Sequence, residues 1–146
     1  MPQPTWKALR RRKVGSSTTT SGNLMKMKVL YVEDDSMLRI ATQRILKSQY
    51  EVTLAEDGIV ALDLIQKEHF DCIISDVEMP GLTGVQLYAL IAEKHPEIAA
   101  RFIFLSGGMN QEVKDTLQSL PNKHLLKPAN VRELREAVQE VISGGR

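Results

Sequence analysis

Five short apolar segments recur along the chain from residue 27 onward, and a longer, more polar stretch separates each from the next. The segments are 28–32, 51–55, 71–75, 101–105 and 123–126. Short and nearly continuous apolar runs are typical of strands that are buried on both faces of a parallel sheet. The pattern therefore predicts five strands at these positions.

Between these segments, apolar residues recur at the three- and four-residue spacing of an amphipathic helix. The predicted apolar faces are Leu38, Ala41, Ile45 and Leu46; Ala61, Leu62 and Ile65; Val85, Leu87, Leu90 and Ile91; Val113 and Leu117; and Val131, Leu134, Val138, Val141 and Ile142. Ser36, Asp57 and Asn130 are placed to cap the first, second and fifth helices. Pro96 is expected to end the third. The fourth helix, at about 110–119, has the shortest face.

The alternation of strands and helices indicates an α/β fold of five β-α units. Such units form an open parallel sheet that helices cover on both sides, and right-handed crossovers leave few topologies. We predict a flavodoxin-like (βα)5 domain with strand order 2-1-3-4-5. Ligands on sheets of this kind bind at the carboxyl ends of the strands.

Charge divides the chain into a basic leader and an acidic body. Residues 1–28 hold seven bases and no acid, whereas the remaining residues carry twelve bases and eighteen acids, a net charge of −6. The stretch 15–23 has the Gly, Ser and Thr composition of a linker. We therefore predict a basic tail or linker at 1–26 and one domain at 27–146.

The composition also bears on location and partners. A lone Cys72 excludes an intramolecular disulfide and fits a reducing compartment. No apolar run approaches the roughly 20 residues that span a bilayer, and no apolar segment follows the basic cluster 10–13 as in a signal peptide. We expect a cytoplasmic protein without a membrane partner. Because no output domain follows Arg146, we also expect no nucleic-acid partner.

Polar residues follow four of the predicted strands. Asp34 and Asp35 follow the first strand, Asp76 the third, Ser106 the fourth and Lys127 the fifth. Neighbouring carboxylates raise one another's pKa unless a cation balances them. We therefore expect Mg²⁺, a hard cation that prefers oxygen ligands. In this interpretation Asp35 and Asp76 bind the ion, and Asp34 reaches it through water.

These residue types suit phosphoryl transfer. Aspartate carboxylates act as nucleophiles that form aspartyl phosphates, and Asp76 holds the corresponding position here. Lys127 supplies a compact positive charge, while Ser106 can donate its hydroxyl to a phosphoryl oxygen. Positioning and charge neutralisation account for nearly all the catalysis of such a transfer.

Together, these motifs resemble the receiver domain of bacterial response regulators. The resemblance covers residues 27–143 and includes Val32-Glu33-Asp34-Asp35, Asp57-Gly58, Asp76, Met79-Pro80-Gly81, Gly84, Ser106 and Lys127-Pro128. It implies that Asp76 accepts phosphate from a phosphohistidine, while Ser106 and Lys127 bind the phosphoryl group. It also implies that Asp34, Asp35 and the backbone carbonyl of Glu78 serve Mg²⁺. A further implication is a cis bond between Lys127 and Pro128.

Two features of the sequence depart from the family pattern. His124 stands where receivers commonly have Tyr or Phe, the ring that moves inward as the Ser or Thr engages phosphate. Two interpretations stay open: an inward-packing switch residue that alters coupling from Ser106, or an exposed histidine with little role. Gly107-Gly108 leaves the loop after the fourth strand without side chains. The resemblance implies that the positions held here by Glu78 and Gly108 influence how water reaches the acyl phosphate.

The predicted function is a phosphorelay receiver that switches partner binding, not a turnover enzyme. Its partners would be a histidine kinase or a histidine phosphotransfer protein, and a downstream protein at the surface of the fourth helix, fifth strand and fifth helix. A free-standing regulator and the C-terminal receiver of a hybrid histidine kinase both stay open, as does a homodimer. The alternatives are a pseudo-receiver and an aspartyl-nucleophile phosphohydrolase, although the latter requires an Asp-x-Asp motif that the first strand lacks.

Overall fold

The sheet has the five strands that the sequence predicts. A computed structural model describes residues 26–108 and 110–144. The strands are β1 (Met27–Val32), β2 (Tyr50–Ala55), β3 (Cys72–Asp76), β4 (Phe102–Ser106) and β5 (His124–Leu126). The predicted strands are confirmed to within one residue at either end. Most of the predicted tail, residues 1–25, lies outside the described residues.

Five helices alternate with the strands. They are α1 (Ser36–Leu46), α2 (Gly58–Lys67), α3 (Gly84–Lys94), α4 (Gln111–Ser119) and α5 (Val131–Gly144), and a four-residue helical turn, Pro96–Ala99, follows α3. Asp57 caps α2 by accepting the Val60 N–H at 2.8 Å, as predicted. Asn130 likewise accepts the Glu133 N–H at 2.8 Å. None of the helices among the described residues is long and apolar enough to cross a membrane.

All strand pairs are parallel, in the order β2-β1-β3-β4-β5. This confirms the predicted flavodoxin-like topology. Apolar side chains alternate between the two faces of the sheet, since Leu30 and Val32 belong to one core, and Val29 and Tyr31 to the other. The first core packs under α2, α3 and α4. The second packs under α1 and α5.

The predicted apolar face of α1 is wrong in its first half. Leu46 is buried and Ile45 packs against the core, but Leu38 is 40% exposed. Met37 and Ile40 are 80% and 48% exposed. Because α1 contacts the core mainly through its last turn, its first two turns present apolar side chains to solvent. Helical periodicity alone does not distinguish such a face from a buried one.

Candidate functional site

The carboxyl ends of β1, β3, β4 and β5 meet at one edge of the sheet. In the strand register Val32 pairs with Ser75, and Asp76 pairs with Leu105. Ser106 pairs with Leu126 in the same way. This register gathers residues that lie far apart in the sequence, as expected for a ligand site on a parallel sheet.

Lys127 links two buried carboxylates at this edge. Its Nζ lies 3.0 Å from Asp76 Oδ2 and 3.1 Å from Glu33 Oε1. The side chains of Asp76 and Glu33 are only 2% and 1% exposed, respectively, whereas that of Lys127 is 23% exposed. Charged groups this deeply buried require a partner of opposite charge. One ammonium therefore serves two carboxylates, which leaves the trio with a net negative charge.

A third carboxylate adds to this negative charge. Glu33, Asp34 and Asp76 each offer an oxygen, and these atoms lie within 4.8 Å of one another. Asp34 is exposed, so one side of the group is open to solvent. A set of carboxylate oxygens with solvent access suits a hard divalent cation that keeps part of its water shell. The residues present therefore fit Mg²⁺.

Two effects shift the pKa values at this site, burial and the excess of negative charge. Burial raises the pKa of Asp76 to about 6, and the nearby Glu33 charge adds to the rise, although Lys127 opposes it. Burial lowers the pKa of Lys127, but its hydrogen bonds and attraction to Asp76 and Glu33 outweigh this, so the net shift is upward. Both groups hold protons more tightly than usual, as expected where positive charge is in deficit.

Glu33 is held in place by several hydrogen bonds. The Tyr31 hydroxyl donates to Glu33 Oε1 at 3.1 Å, and the Asp35 N–H donates to Oε2 at 3.2 Å. Arg39 donates to the Glu33 carbonyl at 2.7 Å. Glu33 was not predicted as a site residue from the sequence. Its position as the first residue after β1, at the edge where ligands bind, was the signal that could have identified it.

Asp35 has a structural role that was not predicted from the sequence. Its Oδ1 accepts the N–H groups of Met37 and Leu38 at 2.9 and 3.1 Å, so Asp35 caps α1, where Ser36 was expected to do so. The carboxylate group comprises Glu33 and Asp34 instead. Asp34 therefore lies in the group of carboxylates where Asp35 was expected, and which of the two aspartates binds the metal stays a prediction. The reason for the cap is local, because an aspartate before the first helical turn satisfies its unpaired N–H groups.

Ser106 lies at the end of β4 beside Asp76. Its side chain is buried, and its Oγ accepts the Gly108 N–H at 3.0 Å. Gly108 has φ +79°, a left-handed conformation that favours glycine. The two-glycine segment thus folds back on the serine that was expected to bind the phosphoryl group.

Glu78 connects the loop after β3 to the loop after β4. Its Oε1 accepts the Gly107 N–H at 3.1 Å, and its own N–H lies 3.4 Å from Asp76 Oδ1. Its backbone carbonyl as a metal ligand stays a prediction. Gly84 begins α3, and a β-carbon at this position would collide with the Asp76 carbonyl. The backbone that carries Asp76 is therefore closely packed against α3.

Two expectations concerned β5 and the residues after it, the cis Lys127–Pro128 bond and the orientation of His124. The Lys127–Pro128 bond is cis, as predicted. His124 is exposed at the start of β5, where it pairs with Phe104. The inward-packing interpretation of His124 is therefore not seen in this conformation, and its role in switching stays a prediction.

Comparison with known proteins gives consistent matches. A sequence model of the response regulator receiver domain matches residues 29–139. Response regulator protein FleR of Pseudomonas aeruginosa is 34% identical over 115 residues, which cover 78% of this chain and 24% of FleR. Histidine kinase P4 of Formosa agariphila is 32% identical over 118 residues, which cover 80% of this chain and 9% of the kinase. The chain therefore spans about a quarter or less of these curated relatives.

Solved structures agree with the sequence matches. The receiver domain of sensor histidine kinase PA1611 from Pseudomonas aeruginosa, solved with a magnesium ion coordinated in its active site cleft, is 29% identical with a TM-score of 0.71. The match covers 80% of this chain and 98% of that domain. Both the sequence and the fold lead to one conclusion: the chain belongs to the response regulator receiver domain family of two-component systems.

Proposed function

We propose that this domain accepts a phosphoryl group from a phosphohistidine onto the Asp76 carboxylate and thereby switches its binding to a partner. The observation that carries the proposal is the contact of Lys127 with both Asp76 and Glu33. This contact holds the buried Asp76 carboxylate, the proposed nucleophile, beside the Lys127 ammonium. Both groups lie at the edge of the sheet that a phosphoryl donor would approach.

Asp76, Lys127 and Ser106 have separate roles in the phosphoryl transfer. With a pKa of about 6, Asp76 is mostly ionised at neutral pH. One of its oxygens bonds to phosphorus as the phosphorus–nitrogen bond breaks, and that electron pair returns to the imidazole nitrogen. Lys127, 3.0 Å from Asp76, then balances charge on the phosphoryl oxygens. Ser106 leaves its bond with the Gly108 N–H and donates its hydroxyl to a phosphoryl oxygen.

We propose that Glu33, Asp34 and Asp76 hold Mg²⁺, with the Glu78 carbonyl as an additional ligand. The proximity of the three carboxylates supports this, as does the magnesium ion in the PA1611 receiver. When bound, the ion supplies positive charge that offsets the repulsion between carboxylate and phosphoryl group. Asp35 acts as the cap of α1 in this proposal.

The phosphoryl donor would dock beside the site, on the exposed apolar residues of α1. Met37, Leu38 and Ile40 are exposed on α1, the helix that Asp35 caps, next to the carboxylate group. Apolar side chains at this exposure suit the helix of a protein that presents a phosphohistidine, either a histidine kinase or a histidine phosphotransfer protein. This would explain why the first half of α1 is not covered by the core.

The phosphorylated state would be read at the surface formed by α4, β5 and α5. This surface contains the exposed residues His124 and Leu126, one strand away from Ser106. We propose a cytoplasmic protein, as either a free-standing regulator or the receiver of a hybrid kinase. A homodimer through the same surface stays a proposal too.

Incubation with acetyl phosphate and Mg²⁺, followed by intact-mass measurement, tests the proposed function. We expect the wild-type chain to gain one phosphoryl group, and the Asp76→Asn variant to gain none. A wild type that gains nothing would favour a pseudo-receiver. Sustained hydrolysis of unrelated phosphomonoesters would favour a phosphohydrolase.

A further inference from the structure

Glu78 makes a contact across two loops that the proposed phosphotransfer does not require. Its carboxylate oxygen accepts the N–H of Gly107, 29 positions along the chain, at 3.1 Å. Glu78 belongs to the loop that leaves β3 after Asp76, and Gly107 to the loop that leaves β4 after Ser106. An anionic side chain therefore ties the two loops together directly beside the predicted phosphorylation site.

The loop that Gly107 belongs to leads directly into α4. Asn110 caps α4 by accepting the N–H groups of Glu112 and Val113 at 2.8 and 3.2 Å. A cavity of about 550 Å³ separates α4 from the loop after β3. It is lined by Val77, Glu78, Met79, Pro80, Thr83, Val85, Glu112, Val113 and Thr116. This open space adjoins the start of α4, and the Glu78 contact holds the loop that precedes the helix.

A phosphoryl group on Asp76 would compete with this contact. The Glu78 N–H lies 3.4 Å from Asp76 Oδ1, so a group added to that carboxylate would be close to Glu78. Phosphorylation adds about −1.5 to −2 charges, and the Glu78 carboxylate carries the same sign. Two anions would then share the few N–H donors at the ends of β3 and β4. The phosphoryl group carries more negative charge than the Glu78 carboxylate, so it should form the stronger hydrogen bonds with these N–H groups.

We propose that Glu78 is a positioning residue, which holds the β4–α4 loop in its unphosphorylated position through Gly107 and is displaced by the phosphoryl group. This inference rests on the proposed phosphorylation of Asp76. In this proposal the Glu78–Gly107 contact stabilises the unphosphorylated arrangement. The contact must break before the loop, Ser106 and α4 take their phosphorylated arrangement. Removing the side chain should therefore favour that arrangement.

The first experiment measures the loop contact without any phosphate. The variants are Glu78→Ala, which removes the acceptor; Glu78→Gln, which keeps an acceptor oxygen without the charge; and Glu112→Ala, a control on the α4 side of the same cavity. We expect solvent exchange of the Gly107 amide, followed by NMR, to rise about fivefold or more in Glu78→Ala, which loses a charge-assisted bond. It should rise less in Glu78→Gln and stay unchanged in Glu112→Ala. Unchanged exchange in Glu78→Ala would overturn the proposal.

The second experiment measures competition with an anion, using beryllium fluoride with Mg²⁺ as the phosphoryl mimic. We expect Glu78→Ala and Glu78→Gln to bind the mimic about two- to fivefold more tightly than the wild type, because each removes a like charge. A residue with a merely structural role would give weaker binding when truncated, so equal or weaker binding would overturn the displacement. If the wild type binds no mimic at all, the proposed function fails, while the Gly107 exchange still decides the loop contact.

Discussion

At the scale of single residues, Asp76 shows the effect of a site that has more carboxylates than cations. Its pKa is raised to about 6 by burial and by the Glu33 charge. Between about pH 4 and pH 6 the folded protein therefore keeps a proton on Asp76 that the unfolded chain has lost. Because the folded state binds more protons in this window, the free energy of unfolding should fall as the pH rises through it. Above the window, ionised Asp76 costs stability unless a cation is bound.

Replacing Asp76 with Asn should stabilise the protein at pH 7.5 without Mg²⁺. Asparagine removes the buried charge, and we expect a gain of about 1–3 kcal/mol, the equivalent of one to two pKa units. The gain should disappear near pH 4, where wild-type Asp76 is largely protonated. Urea unfolding at both pH values measures this, and Asp63→Asn, a surface variant on α2, serves as the control. A variant no more stable than wild type at pH 7.5 would contradict the charge account.

The two neighbouring aspartates after β1 should respond differently to the same substitution. Asp34→Asn should weaken Mg²⁺ binding about tenfold or more, because Asp34 is one of the three grouped carboxylates. Asp35→Asn should change the affinity by less than about threefold, since asparagine caps helices as well as aspartate does. Calorimetric titration of Mg²⁺ distinguishes them. The reverse order of effects would restore Asp35 as the ligand that the sequence suggested.

Expectation and structure differ most clearly at the residues that follow β1. The strands were predictable because short, nearly continuous apolar runs such as Cys72-Ile73-Ile74 are typical of strands buried on both faces of a sheet. It was also predictable that Asp76, Ser106 and Lys127 lie at one edge of the sheet, because each directly follows such a run. Glu33 also follows such a run but was not predicted as a site residue, because the sequence does not show that Tyr31 and Lys127 contact it in the folded protein. An expectation that is off by one residue at a strand end confuses a grouped carboxylate, Asp34, with a helix cap, Asp35.

At the scale of elements, α1 has two halves with different tasks. Its last turn packs on the sheet through Leu46, whereas Met37 and Ile40 are exposed near the site. Apolar periodicity predicted one continuous buried face. The spacing of residues cannot distinguish an apolar face that covers a core from one that receives a partner, since both exclude water.

Ile40→Asp should slow phosphotransfer from a phosphorylated histidine phosphotransfer protein that serves the wild type, by about tenfold, the effect of losing one important interface residue. The rate of phosphorylation by acetyl phosphate should be unchanged, because that donor needs no docking surface. Ile59→Asp is the matched control, an isoleucine 63% exposed on α2, which packs on the opposite face of the sheet from α1. Equal effects of the two variants on the protein donor would argue against α1 as the docking helix.

At the scale of the whole molecule, the site exists only in the complete sheet. Glu33, Asp76, Ser106 and Lys127 come from four different strand ends, and the order β2-β1-β3-β4-β5 places these ends side by side. Each strand end alone would be an ordinary turn. The topology was predictable from the alternation of elements, whereas the hydrogen bonds that orient each side chain depend on packing between distant segments.

The most direct test of the account locates the phosphoryl group itself. Borohydride reduces an aspartyl phosphate to homoserine, which peptide mass mapping assigns to one position. After phosphorylation with acetyl phosphate and Mg²⁺, the account predicts homoserine at position 76 alone. Homoserine at position 34 or 35, or a phosphoryl group that resists borohydride, would contradict the claim that Asp76 is the phosphoacceptor.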